Sequence, residues 1–565
     1  MAVTETPVTP GSPAPEEEPL AAQEPAAPAP WPAGTDHKVV GTLFVVVAIL
    51  FLVASGVLAV VMRAQLTTSN AGVVGETTYR QLFTLHGTLG VFGFLAPAWV
   101  GLATAVVPLQ IGAARLAFPR LQGLALGLVV AGGAMMVASP FVSGGKVVSG
   151  WALSSPLPEG RAFRGHGPDL MVLGLGLVAV ALVLASANLV VTVVKMRAPG
   201  LTMRRAPVFS WSVLVSGSIM LLALPVLVGG LVMLFVDRHY NGHVFNGFTG
   251  SGGGNPELWP RLFWFAAYPT LWALVLPALG VAAEIVPVTA RRRLFSHPRA
   301  LAALGAVGVL AFAGWGSEVP SLSRAHLLFA IGALVVLAPV ASVLLNVVAT
   351  LVTGLKDGTV RAAELRSAPM VYAGGVLAVL AVGLAGEAVA AIGATTRLHR
   401  NYWQVATQHT LFFGVSTLAV VAALTWWAPK LWGRHLSDRA QLLAATLLVG
   451  GVLLSFLPMF VLGAQDMHVH LATYPSGDGF GPANLVATAG ALITALGVLV
   501  LAADLVVSVI GRRGRRAADD PWSGHTLEWA TSSPPPSWNF DRLPDVRSEA
   551  PMLDLRTAAA PEAAV

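Results

Sequence analysis

The chain of 565 residues contains no cysteine, which excludes disulfides, thiolate metal sites and iron–sulfur clusters. Any metal must be held by His, Met or oxygen ligands. Charge is scarce as well: 11% of the residues are Asp, Glu, Lys or Arg, against 55% hydrophobic ones, and the mean hydropathy is +0.72. A soluble globular domain carries about 25% charged residues, so this composition belongs to a chain dissolved in lipid. The alternating short segments of a membrane β-barrel are missing too. Residues 1–35 lack a charged start followed by an apolar core, so they do not read as a signal peptide. Rich in Pro, Ala and Glu, they read as a disordered cytoplasmic arm.

What is present is a series of twelve apolar runs, near 39–62, 84–109, 121–143, 169–194, 208–236, 262–287, 300–318, 325–353, 370–394, 402–428, 440–463 and 484–510. Each approaches the roughly 20 residues that cross a bilayer as a helix. Most are apolar all round, as in helices packed in a membrane bundle. The fold expected over 36–510 is therefore an all-α polytopic membrane protein of about twelve transmembrane helices, followed by a Pro-rich, polar cytoplasmic tail at 511–565. The 59 glycines suit close helix packing in lipid.

Lys and Arg gather in alternate loops: "AARLAFPR", "KMRAPGLTMRR", "TARRRLFSHPR", "LKDGTVRAAELR" and "PKLWGRHLSDR", with "GRRGRR" after the last span. The positive-inside rule puts these loops, and both termini, in the cytoplasm. The net charge of +6 thus reflects topology, with lipid as the partner and no nucleic acid implied.

Of the thirteen histidines, ten fall in loops or at span ends and His326 opens the eighth span. His86 in "QLFTLHGTLGVFGF" and His409 in "LHRNYWQVATQHTLFFG" remain inside spans. An imidazole in lipid is costly and calls for a partner. Spans 2 and 10 run in the same direction, so at about 1.5 Å per residue both rings fall in the outer half of the bilayer. Two readings are open: the rings face one another and ligate a haem iron, or each bonds a carbonyl of a neighbouring helix.

Longer words then carry a resemblance: "TDHKVVG" at 35–41, "LHGTLGVFGFLAPAWVGL" at 85–102, "VPLQIGAARLAFPRLQ" at 107–122, "MRAPGLTMRRAPVFSWSVLV" at 196–215, "LPVLVGGLVMLFVDRHYN" at 224–241, "LFWFAAYPTLWALVLPALG" at 262–280, "YPSGDGFG" at 474–481 and "TLEWATSSPPPSWNF" at 526–540. In this order the chain resembles subunit I of the haem–copper oxidase superfamily, the cytochrome c oxidase catalytic subunit, over nearly its whole length. The resemblance implies that His86 and His409 match the axial ligands of the family's low-spin haem.

It does not bring the oxygen-reducing centre with it. The histidine expected to bind the high-spin haem is Thr407 in "TQH". The copper-ligating histidine and the tyrosine of the sixth span are Tyr268 and Trp272 in "AYPTLW", and the two remaining copper ligands are Ser317 and Glu318 in "GWGSEVP". Tyr, Ser and Glu would make a harder site than imidazole, so copper is not expected. The proton path departs as well, with Arg115 at the channel entrance, Thr270 for the sixth-span glutamate and Val343 at the eighth-span lysine. The arginine pair that holds haem propionates reads "DMHVH", leaving His468 or His470 as donors, and the magnesium-binding His-Asp pair reads His399-Arg400. Glu318 and Glu387 lie toward the outer ends of their spans, where two carboxylates suit a proton or a hard metal. As solitary charges, one is open to water and the other is paired. Trp151 and Trp264 read as packing or interfacial aromatics.

The expectation that follows is a bacterial membrane protein of the respiratory chain with one low-spin haem of type a or b. It carries electrons from a donor at the outer face, beside companion subunits like II and III, without reducing oxygen. The alternatives are an active terminal oxidase with an atypical centre, oxidising cytochrome c or quinol, and a haem-free scaffold or assembly subunit.

Overall fold

The structure is a computed structural model that describes residues 36–142, 147–154, 165–240, 242–245, 253–392, 398 and 401–559. The N-terminal arm and the pair His399-Arg400 lie outside the described residues. Helices dominate: α1 (His37–Gln65), α2 (Glu76–Gln110), α3 (Pro119–Ala138), α4 (His166–Lys195), α5 (Val208–His239), α6 (Leu258–Thr289), α7 (His297–Leu310), α8 (His326–Lys356), α9 (Ala368–Ile392), α10 (Tyr402–Trp432), α11 (Asp438–Ala464) and α12 (Gly481–Leu505).

Eleven of these are long and apolar enough to cross a bilayer. The seventh apolar run differs from the expected span. Its α-helix stops at Leu310 after 14 residues, and the chain goes on through a turn into a 3₁₀ turn at Trp315–Glu318. The glycines at 314 and 316 let the chain after the break pack closely, because a side chain at Gly314 would strike the Tyr268 hydroxyl and one at Gly316 the ring of Phe329. The result is a backbone bend that turns Glu318 inward.

Neighbours in sequence pack as neighbours in space, and α12 returns to α1. Three helices stand apart from the rest: the apolar windows of α2 and α6 are 94% buried and that of α10 is 89%, against 22% for α1 and α12. These three are therefore the centre of the bundle, and they also contact one another. Side chains on them meet protein rather than lipid. Close crossings rely on glycine where backbones touch. A Cβ on Gly132 of α3 would lie 2.5 Å from the Gly174 carbonyl of α4, and one on Gly174 2.6 Å from the Gly132 carbonyl.

The tail is ordered against the face that carries the basic loops. Trp427 Nε1 and Gln110 Nε2 both donate to Glu528, at 3.2 and 3.1 Å. Asn539 donates to the Ala113 carbonyl at 2.7 Å and pairs with His37 at the start of α1. Arg293 pairs with Glu549 at 2.8 Å and also with Asp554. A final helix, α13 (Pro551–Ala559), ends the described chain.

His525, in this tail, is buried near Arg556 and Arg293, and burial together with those charges lowers its pKa from 6.5 to about 4. The docked tail holds it neutral while the free tail lets it protonate. Its contribution to docking is complete above pH 6.5 and is lost as pH falls from there toward 4, at a cost of no more than about 3 kcal/mol. Burial raises the Glu528 pKa and acts in the opposite sense. We expect proteolysis of the tail to accelerate between pH 6.5 and 4, and the acceleration to be smaller in His525→Gln than in the wild type. Equal profiles would remove His525 as the cause.

Candidate haem site

His86 lies near the end of the first α-helical part of α2, Glu76–Thr88, and a π-helical stretch Leu89–Leu95 follows. His409 opens a second π-helical stretch, His409–Gly414, within α10. Such widened turns are frequent at functional sites because they redirect side chains without ending the helix. In α2 the widening precedes Pro97, whose ring has no N–H to give and crowds the carbonyl four residues back.

The bundle brings the two imidazoles together across a cavity. Their ring centres are 6.2 Å apart and their planes 12° from parallel. Two metal–imidazole bonds of about 2.0–2.1 Å in line, plus about 1.1 Å from each nitrogen to its ring centre, span about 6.3 Å. The distance between ring centres is thus the length that a metal ion held by two in-line imidazoles would span. The other side of each ring is occupied. His86 Nδ1 is 3.0 Å from the Ser55 carbonyl, and His409 Nδ1 is 2.8 Å from the Val405 carbonyl. A carbonyl only accepts, so each Nδ1 carries the proton and each Nε2 keeps its lone pair for a metal. The carbonyl bonds that a purely structural histidine would make are present, and each uses Nδ1 rather than Nε2.

The cavity between them has a volume of about 1060 Å³, at the upper end of small-molecule and cofactor sites. Leu52, Phe94, Phe413, Val452 and Phe456 give it apolar walls, and Arg80 and His470 supply cationic or donor groups at its lining. An apolar slot with two facing imidazoles and an Arg fits a haem with its carboxylates. His470 and His468 are both exposed, but His470 lines this cavity, whereas His468 lies outside the lining and is bridged in backbone to Asn401. Trp151 and Trp264, 5.5 Å apart and edge to face, both line the cavity as well as packing against each other.

Two residues escaped the sequence reading. Arg80 sits six positions before His86 on the same helix and pairs with Glu76 at 2.6 Å. Its place just outside a span, on the side where a haem's carboxylates would lie, was a usable signal. Arg63, at the end of α1, is buried, donates to the Tyr402 hydroxyl at 3.0 Å and leaves Nη1 without a hydrogen-bond partner among the described residues. Its charge is felt at both imidazoles. A buried Arg at a span end was visible in "VMRAQL", but its partners come from α10 and could not be read.

The substituted positions divide. Tyr268, Glu318 and Thr407 come together, with Glu387 of α9, around a second and much smaller cavity of about 10 Å³, room for about one water molecule. Trp272 packs edge to face on Tyr268 and Phe412 at 6.5 and 5.2 Å. Thr270 donates to the Ala266 carbonyl of its own helix at 2.8 Å and Ser317 to the Gly314 carbonyl at 2.7 Å. Val343 is buried in α8, and Arg115 is exposed in the loop after α2.

Sequence comparison adds the family. Residues 39–493 match the family described as Cytochrome C and Quinol oxidase polypeptide I. The chain belongs to this family. It is 36% identical over 537 residues to a putative cytochrome c oxidase subunit 1-beta of Streptomyces avermitilis, covering 94% of this chain and 92% of that one. To the cytochrome c oxidase subunit 1 of Corynebacterium efficiens it is 33% identical, covering 92% and 88%. To a quinol oxidase subunit 1 of Bacillus subtilis it is 31% identical, covering 93% and 80%. The chain is thus an integral membrane protein of a terminal-oxidase family whose members bind haem and copper and work with other subunits.

Proposed function

We propose that this member of the family is a divergent subunit I that holds one low-spin haem between His86 and His409, passes electrons, and does not itself reduce oxygen. The observation that carries the reading is the 6.2 Å imidazole pair with both Nδ1 atoms committed to carbonyls. A haem held by His86 and His409 would supply one-electron transfer. The chain's own part is to fix both ligating nitrogens, to keep water from the ring edges with Phe94, Phe413 and Phe456, and to offer Arg80 and His470 to carboxylates. Support for the loss of oxygen chemistry comes from the region around Thr407 and Tyr268, where the space left amounts to about 10 Å³. No imidazole lines that space among the described residues.

The basic loops support termini in the cytoplasm of a bacterial cell and a haem nearer the outer face. An electron donor would then approach from outside, with subunits like II and III as neighbours. The names of the relatives favour a second reading, a working oxidase with an atypical centre. One experiment separates the readings: haem and copper quantification on purified protein, with reduced-minus-oxidised and carbon monoxide difference spectra. One haem per chain, no copper and no carbon monoxide shift is the expected result. Two haems, copper and a carbon monoxide shift would establish the oxidase reading, and no haem would establish a scaffold.

Arg63 should tune the centre. Its charge acts on both imidazoles, and for any redox centre a positive charge about 10 Å away, at an effective dielectric near 20, would be worth about 1–2 kcal/mol in favour of the reduced form. Arg63→Leu should lower the midpoint potential on the order of 50 mV in a spectroelectrochemical titration, with haem content unchanged. An unchanged potential would show that the charge is screened.

A further inference from the structure

The small cavity is lined by two carboxylates, Glu318 and Glu387, with the hydroxyls of Tyr268 and Thr407 and the amides of Gln404 and Gln408. No Lys, Arg or His lines it among the described residues. One Glu318 oxygen accepts from Gln404 Nε2, which fixes that carboxylate and leaves its other oxygen available. The second observation comes from the helix opposite. Thr407 Oγ1, on a residue only 2% exposed, has no hydrogen-bond partner among the described residues, and the Tyr268 hydroxyl beside Glu387 is equally buried. A buried hydroxyl without a partner costs about 1–3 kcal/mol, and here one borders the same one-atom space as two acids.

We propose that this cavity is a binding site for a single hard divalent cation of the Mg²⁺ or Mn²⁺ class. The donor set is all oxygen, which selects hard cations over copper or zinc. One oxygen from Glu318, one or two from Glu387, the Tyr268 and Thr407 hydroxyls and the Gln408 amide oxygen make about six donors. That number suits an octahedral ion better than Ca²⁺, which takes 6–8 ligands at longer distances. The volume of about 10 Å³ admits one ion and nothing larger. A divalent ion also balances two acids that would otherwise sit uncompensated at membrane depth. Glu318, Gln404 and Gln408 line both cavities, so the ion would share a wall with the space between the histidines. The site's chemistry does not depend on what fills that space.

The test uses the full-length protein in detergent, treated with a chelator and titrated with Mn²⁺, with free Mn²⁺ followed by its solution EPR signal. The expected result is one saturable Mn²⁺ per chain, displaced by Mg²⁺, with affinity reduced at least about 10-fold in Glu387→Gln and also reduced in Thr407→Val. Absence of saturable binding to the wild type, or equal affinity in both variants, overturns the proposal. It is also overturned if infrared carbonyl bands of two protonated carboxyls, missing in the Glu318→Gln/Glu387→Gln double variant, persist in wild type at saturating Mn²⁺. That measurement on the wild type holds even if a variant fails to fold. Haem content read on the same samples separates loss of the cation site from failure of the histidine reading.

Discussion

His409→Ala protein is expected to purify from the membrane as a folded chain with its haem absorption almost gone, and His86→Ala to behave in the same way. Substituting a residue that only orients a metal ligand lowers affinity about 10–100-fold, so removing a ligand itself should cost at least about 100-fold. The two variants should be equivalent because each ring supplies one of two opposed bonds across the same 6.2 Å gap. Ser55→Ala is the informative control: it keeps the backbone carbonyl that accepts from His86 Nδ1 and removes only a hydroxyl 3.0 Å away, so haem should be retained. Pyridine haemochromogen assays on the three proteins decide the matter. Full haem in either alanine variant would mean that the ligands lie elsewhere.

Lys430→Met should release the tail. Lys430 is 1% exposed near the end of α10, and its ammonium donates to the carbonyls of Asp519, Thr531 and Ser532 at 2.8, 2.5 and 3.3 Å, while lying 5.3 Å from the Trp529 ring. Hydrogen bonds to a charged group contribute about 1.5–3 kcal/mol each. Losing the two short ones leaves buried carbonyls unpaired and removes about 3 kcal/mol or more from docking. Limited trypsin digestion should then cut at the arginines between 512 and 516 many times faster than in the wild type, with the membrane bundle itself surviving. A digestion pattern like that of the wild type would mean that Glu528 and Asn539 hold the tail without help.

Much of this protein could be read from its residues. Composition and the length of the apolar runs determined the medium and the helical class, because in lipid a backbone must satisfy its own hydrogen bonds and helices do so locally. The rarity of histidine inside spans singled out His86 and His409, since each buried imidazole has to be compensated. Even so, both the carbonyl reading and the ligand reading of those histidines were open. The structure shows the carbonyl bonds on Nδ1 of each ring, which leaves each Nε2 lone pair for the proposed ligand role.

Other features were decided by packing between segments far apart in sequence. The seventh apolar run looked like a full span, yet Gly314 and Gly316 let it bend against Tyr268 and Phe329 and carry Glu318 into the interior. Whether Glu318 met water or protein depended on that bend. Glu387 and Thr407 join it from two further helices, and Arg63 reaches the site from α1 through Tyr402 of α10. The sequence by itself determined which groups would be costly in a membrane, because that cost depends on the residue and its depth. Only the tertiary structure decided how the cost is met, because partners as far apart as Arg63 and Tyr402, 339 positions, are chosen by which helices stand at the centre of the bundle.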